Sequence, residues 1–93
     1  MNEKEIEKYF CWCVESIGGK SYKFKSMTMR GVADRVACLP DGQTWFVELK
    51  RPKGGVLSPM QELFAESMVA LKQRYALLNT VDAINEWSAR IKL

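Results

Sequence analysis

The stretch GVADRVACLPDGQTWFVELK, residues 31–50, decides the fold. Residues 32–39 and 44–50 are β-rich runs, and the Pro40-Asp41-Gly42-Gln43 segment between them is turn chemistry, so the pair reads as an antiparallel hairpin. Side chains alternate between the faces of a strand, which puts Asp34, Val36 and Cys38 on one face of the first run. On the second run Phe46, Glu48 and Lys50 share a face, while Trp45, Val47 and Leu49 point the other way. If Asp34 meets Glu48, Val36 meets Phe46 and Cys38 meets Thr44, two carboxylates and an ammonium gather at one end of an otherwise apolar surface.

Helices flank this hairpin. Ile6, Tyr9, Phe10, Cys13, Val14 and Ile17 mark one face of a helix over 3–17, opened by an Asn2/Glu5 capping box and stopped by Gly18-Gly19. Residues 21–24 read as a short strand. Ser58-Pro59 starts a second helix whose inner face is expected to hold Met60, Phe64, Met68 and Leu71. Residues 75–78 form another short strand. Thr80 caps a last helix with Val81, Ile84, Trp87 or Ser88, and Ile91 on one side. The order is α-β-β-β-α-β-α, an α/β (α+β) fold with a mixed central sheet and flanking helices, in a single domain over 1–93.

Composition narrows the chemistry. Ninety-three residues accommodate one core, and 47% hydrophobic with 27% charged residues is ordinary for a globular chain. The acidic start and the lack of a long apolar run predict a protein that is neither secreted nor membrane-spanning, working in a reducing, cytoplasmic compartment. Three cysteines cannot complete a disulfide framework, and Cys11, Cys13 and Cys38 read as packing residues. The absence of histidine removes His-containing zinc sites and Ser-His or Cys-His nucleophiles. Residues 20–53 carry eight basic side chains against three acidic ones, whereas residues 54–93 carry four of each, so a basic middle sits on a neutral frame. That distribution suits a polyanion.

Like charges opposed on a sheet repel, and burial raises the cost, so a bare Asp34–Glu48 pair tends to hold a proton. A hard divalent cation removes the conflict, and the Leu49 backbone carbonyl offers a further oxygen. Lys50 on the same face can orient or deprotonate a water, or offset charge building on a phosphate. An acid on one strand with Glu-x-Lys on the next is what metal-assisted phosphodiester hydrolysis needs.

Gly31-Val32-Ala33-Asp34-Arg35-Val36, the run Phe46-Val47-Glu48-Leu49-Lys50-Arg51-Pro52, and Leu57-Ser58-Pro59-Met60-Gln61 together resemble the virus-type replication-repair nuclease (VRR-NUC) domain, a branch of the PD-(D/E)xK nucleases, in its stand-alone phage or bacterial form. The similarity spans almost the whole chain. It departs from the family at Ala33, where proline is usual, a change that affects backbone rigidity rather than a ligand. The resemblance implies that Asp34 and Glu48 hold Mg²⁺ or Mn²⁺ with the Leu49 carbonyl, that Lys50 is the catalytic lysine, and that Gln61 and a first-helix glutamate complete the site. Among those glutamates Glu3 lies on the buried stripe, Glu7 lies off it, and Glu5 serves the cap. Several residues keep a second reading: Gln61 as the capping-box partner of Ser58, Glu3 as an acid favoured at a helix N-terminus, Lys23 as a plainly solvated side chain, and Asp34 and Lys50 as ordinary salt-bridge partners of Arg30 or Arg35 and of Glu48.

The expected activity is metal-dependent endonucleolytic cleavage of DNA, directed to branched structures such as a four-way junction, in phage or bacterial replication, recombination or repair. Lys20, Lys23, Lys25, Arg30, Arg51 and Lys53 are the expected phosphate contacts. A two-fold homodimer would match a junction, with Trp12 and residues around Trp87 as contact candidates. The alternatives are a flap or single-strand nuclease, a catalytically silent DNA-binding module, and a protein-interaction domain built on its tryptophans.

Overall fold

The structure, a computed structural model, describes residues 1–91. Its elements are α1 (Glu3–Ser16), β1 (Lys20–Lys23), β2 (Arg35–Cys38), β3 (Thr44–Leu49), α2 (Pro59–Ala70), β4 (Arg74–Leu78) and α3 (Val81–Arg90), in the expected order. The sheet runs β1-β2-β3-β4, antiparallel through the first three strands and parallel between β3 and β4. The α2 crossover is what permits that parallel pair. No helix among the described residues is long and apolar enough to cross a membrane.

Local chemistry sets the helix starts. The Asn2 side chain accepts from the Glu5 N–H at 2.9 Å while the Glu5 carboxylate accepts from the Asn2 N–H at 2.9 Å, which satisfies two donors at the α1 terminus. Ser58 and Gln61 repeat the arrangement at α2, and Thr80 Oγ1 accepts from the Ala83 N–H at 2.9 Å at α3.

α1 and α3 cover one face of the sheet. Ile6, Phe10, Cys13 and Val14 of α1 and Ile84 and Trp87 of α3 pack with Ala37, Leu39, Val47, Leu49 and Leu78 in one core. Trp87 lies 5.2 Å from the Phe10 ring and edge-on to Trp45 at 5.6 Å, and only 7% of it is exposed. Trp87 itself thus completes the monomer core; Trp12, whose ring lies 5.8 Å from that of Tyr9, is 62% exposed.

The opposite face is covered by α2 alone. Phe64 reaches down to Phe24, Phe46 and Tyr75, with ring centroids 6.2–6.3 Å apart. The half-buried face of α2 is Gln61, Phe64, Ala65 and Met68, so the expectation that Met60 and Leu71 point inward is corrected. Both are exposed, as are Leu63 and Val69, because a single helix on one face of a small sheet has only one stripe to bury. Two smaller differences concern the strands and the thiols. β2 begins at Arg35 rather than residue 32, and Cys38 is exposed where a packing role was expected.

Candidate active site

The hairpin register decides which side chains meet. Val36 pairs with Phe46 and Cys38 with Thr44, as alternation requires, so Asp34, one residue before β2, lies opposite Glu48. There Asp34 Oδ2 accepts the Leu49 backbone N–H at 2.9 Å, which fixes its carboxylate against β3. Glu48 is 1% exposed, buried under the start of α2. Lys50 Nζ stands 3.8 Å from Glu48 Oε2.

Burial pushes the Glu48 carboxyl up from its ordinary 4.5 to about 8, reinforced by its hydrogen bond to Asp34 and by the Asp34 charge; Lys50 opposes the shift and Glu3 adds to it. Two closely set carboxyls, one of them buried, form an acceptor set in need of positive charge. The Tyr75 phenol, on the neighbouring strand, is raised to about 12 by burial and then by the charges of Glu48 and Asp34, so it stays protonated. Among the described residues, no three Asp, Glu or Cys side chains converge into a preformed cage. Asp34 and Glu48 nevertheless fit a hard divalent cation, because oxygen donors of like charge are what such an ion prefers and its charge relieves their repulsion.

Gln61 reconciles its two readings. Its Oε1 accepts the Ser58 N–H at 2.9 Å and closes the α2 cap, while its Nε2 donates to Glu48 Oε2 at 3.2 Å. One side chain thus caps the helix and holds the buried carboxylate. Glu3 lines a groove of about 370 Å³ beside Asp34 and Leu49, together with Lys4, Glu7, Lys23, Phe24, Lys25, Val32 and Ala33. It shares the site without joining the carboxylate pair.

The basic residues separate by position. Lys23 and Lys25 line the groove. Lys20 pairs with Cys38, three residues down β1 from Lys23, so it sits about 10 Å further from Asp34 and over the Tyr22 ring. Arg30 and Lys53 are exposed in loops. Arg51 donates to the carbonyls of Lys53 (2.8 Å) and Gly54 (3.3 Å), bracing the turn after β3. Sequence reasoning missed Lys4 and the role of Glu7. Glu7 Oε2 accepts from Arg35 Nε at 2.8 Å and lies 3.7 Å from Lys23 Nζ, tying α1 to β1 and β2 next to Asp34. The signal was present in the i, i+4 spacing of Glu3 and Glu7, but the partner lies 28 residues away.

Buried Glu48 facing the partly exposed Asp34 across the hairpin, with a lysine beside them and a groove lined by Lys4, Lys23 and Lys25 as well as Glu3 and Glu7, is the arrangement of a nuclease-type α/β domain. No protein-family model matches the chain. It is 39% identical over 82 residues to "Putative nuclease p44" of Acyrthosiphon pisum secondary endosymbiont phage 1, a match covering 88% of this chain and 87% of the relative. A solved structure titled "VRR_NUC domain" superposes with a TM-score of 0.90 over 97% of both chains at 22% identity. The chain belongs to the family of that phage nuclease and has the fold of the VRR-NUC domain.

Proposed function

We propose that the protein is a Mg²⁺- or Mn²⁺-dependent DNA endonuclease whose site is Asp34, Glu48 and Lys50, supported by Gln61 and Glu3. The observation that carries this is the buried Glu48 carboxyl set opposite Asp34 across the hairpin, with the Lys50 ammonium 3.8 Å away. Asp34, Glu48 and the Leu49 carbonyl would hold the cation, with Glu3 at its outer edge. When bound, the cation supplies the charge that lets both carboxylates ionise, polarises the phosphate and activates water for attack.

This chain's own residues then have distinct tasks. The Leu49 N–H orients Asp34, and Gln61 Nε2 orients Glu48. Lys50, with a side chain only 14% exposed, holds the attacking water or offsets the negative charge developing on the phosphate oxygens. Lys4, Lys23 and Lys25 hold neighbouring backbone phosphates in the groove, positioning the strand without reading its sequence.

Branched DNA, a four-way junction in particular, is the proposed substrate, in phage or bacterial replication, recombination or repair inside the host cell. One small domain has one site and little surface for a junction. A two-fold dimer presents two sites for paired incisions. The exposed Trp12 and the uncovered apolar residues of α2, Leu63, Val69 and Leu71, are the surfaces available for that contact.

Cleavage of linear, flap and four-way DNA, with and without Mg²⁺ or Mn²⁺, paired with sedimentation equilibrium, tests this. A dimer making paired cuts near the branch is expected. A monomer that cuts flaps and leaves junctions intact would overturn the junction assignment, and binding without cleavage in either metal would favour the silent module.

A further inference from the structure

Between β1 and β2, residues 24–33 carry no acidic side chain and two basic ones, Lys25 and Arg30. Both feet of this loop stand on the candidate site. At one foot the Phe24 ring packs 5.8 Å from Phe46 and 6.3 Å from Phe64, and the Phe24 N–H donates to the Asp34 carbonyl at 3.0 Å. At the other, Gly31 adopts φ +82° against the α2 terminus, where a Cβ would approach the Met60 carbonyl carbon to 2.5 Å. Only glycine fits both the angle and that contact.

Between these feet the tip is shaped by Ser26, whose Oγ accepts from the Met29 N–H at 3.1 Å and the Thr28 N–H at 3.4 Å. The turn leaves Met27 wholly in solvent, at 103% relative exposure, and Met29 at 60%. A single exposed apolar side chain is ordinary. Here, however, it projects from a braced turn between Lys25 and Arg30, two residues along the chain from Lys25, which lines a groove with Phe24 and Asp34. Charge selects a polyanion as occupant, and the methionine requires that polyanion to offer apolar faces. Nucleic acid has both, in its phosphates and its bases.

We propose that residues 25–30 form a DNA wedge in which Met27 inserts between bases beside the scissile phosphate while Lys25 and Arg30 hold the flanking phosphates. The proposal rests on the DNA-nuclease reading and deepens it. Apolar wedges between base steps unstack and kink a helix, and they work most easily where stacking is already interrupted, as at a branch. Three residues of chain reach at most about 10 Å, so Met27 lies within roughly three base steps of the strand held at Phe24 and Asp34.

The test uses Lys50→Ala protein with Mn²⁺, bound to branched DNA carrying 2-aminopurine at each position within about three nucleotides of the cut mapped with the wild type. Binding is followed separately by gel shift. One position should brighten severalfold as its base unstacks. Met27→Ala in the same background should abolish the brightening, and Met27→Leu should keep it. DNA that is bound but nowhere unstacked overturns the wedge and spares the nuclease reading. So does brightening unchanged in Met27→Ala, as it would be if the loop met a second copy of the chain or an anionic membrane surface instead. Protein that neither binds nor cuts DNA overturns both.

Discussion

Replacing Glu48 with glutamine should make the metal-free protein more stable. With its carboxyl raised from 4.5 to about 8, Glu48 favours the fold fully below about pH 4.5, and that contribution is lost as pH rises through about 8. By pH 7 about 3 kcal/mol of that contribution is lost, which solvent screening at the partly exposed Asp34 reduces to roughly 2 kcal/mol. A glutamine reproduces the protonated form: its amide N–H₂ can donate to Asp34 and its carbonyl can accept from Gln61 Nε2, the present partner of Glu48 Oε2. Thermal unfolding in chelator at pH 5 and pH 8 reads the difference. The two proteins should melt together at pH 5 and separate at pH 8, with E48Q about 10 °C higher. Other groups titrate alike in both, so the gap isolates this carboxyl. A gap independent of pH, or an E48Q protein less stable at pH 8, would refute the reasoning.

Other perturbations follow from the same geometry. Lys50→Ala should retain the fold and lose cleavage by about 10²-fold or more, measured by circular dichroism and single-turnover kinetics, because it removes charge stabilisation rather than core packing; near-wild-type rates contradict its role. Saturating Mn²⁺ should raise the wild-type Tm and leave the Asp34→Ala, Glu48→Ala double variant unmoved, as linkage requires of a ligand held there only in the native state. Equal shifts in both proteins would place the ion elsewhere. Glu7→Ala should lower stability by about 1–2 kcal/mol in urea unfolding, since it leaves the largely buried Arg35 without its carboxylate. Gly31→Ala should destabilise by more than about 1 kcal/mol, from the strained φ and the contact with Met60.

What could be read from residue order alone was whatever depends on near neighbours. Capping boxes join residues three apart, the α1 stripe repeats every turn, and a Pro-Asp-Gly turn sets the hairpin register, so the meeting of Asp34 with Glu48 was legible. The α2 face was not. Apolar residues surround that helix, and the choice of Phe64, Ala65 and Met68 over Met60 and Leu71 depends on where Phe24, Phe46 and Tyr75 lie beneath it. Glu7 lies off the apolar stripe, and its value comes from Arg35, distant in sequence and adjacent in space. Gln61 fits both cap and site by sequence, and only the folded chain shows the two ends of its amide serving both.

The central claim is that Asp34, Glu48 and Lys50 form a cation-dependent phosphodiesterase site. Single-turnover cleavage of end-labelled branched DNA by wild type and Asp34→Ala, first in chelator and then in excess Mn²⁺, tests it most directly. The account predicts no product from either protein in chelator, and cleavage by wild type alone once Mn²⁺ is added. Undiminished wild-type cleavage in chelator, or equal cleavage by Asp34→Ala in Mn²⁺, would contradict it.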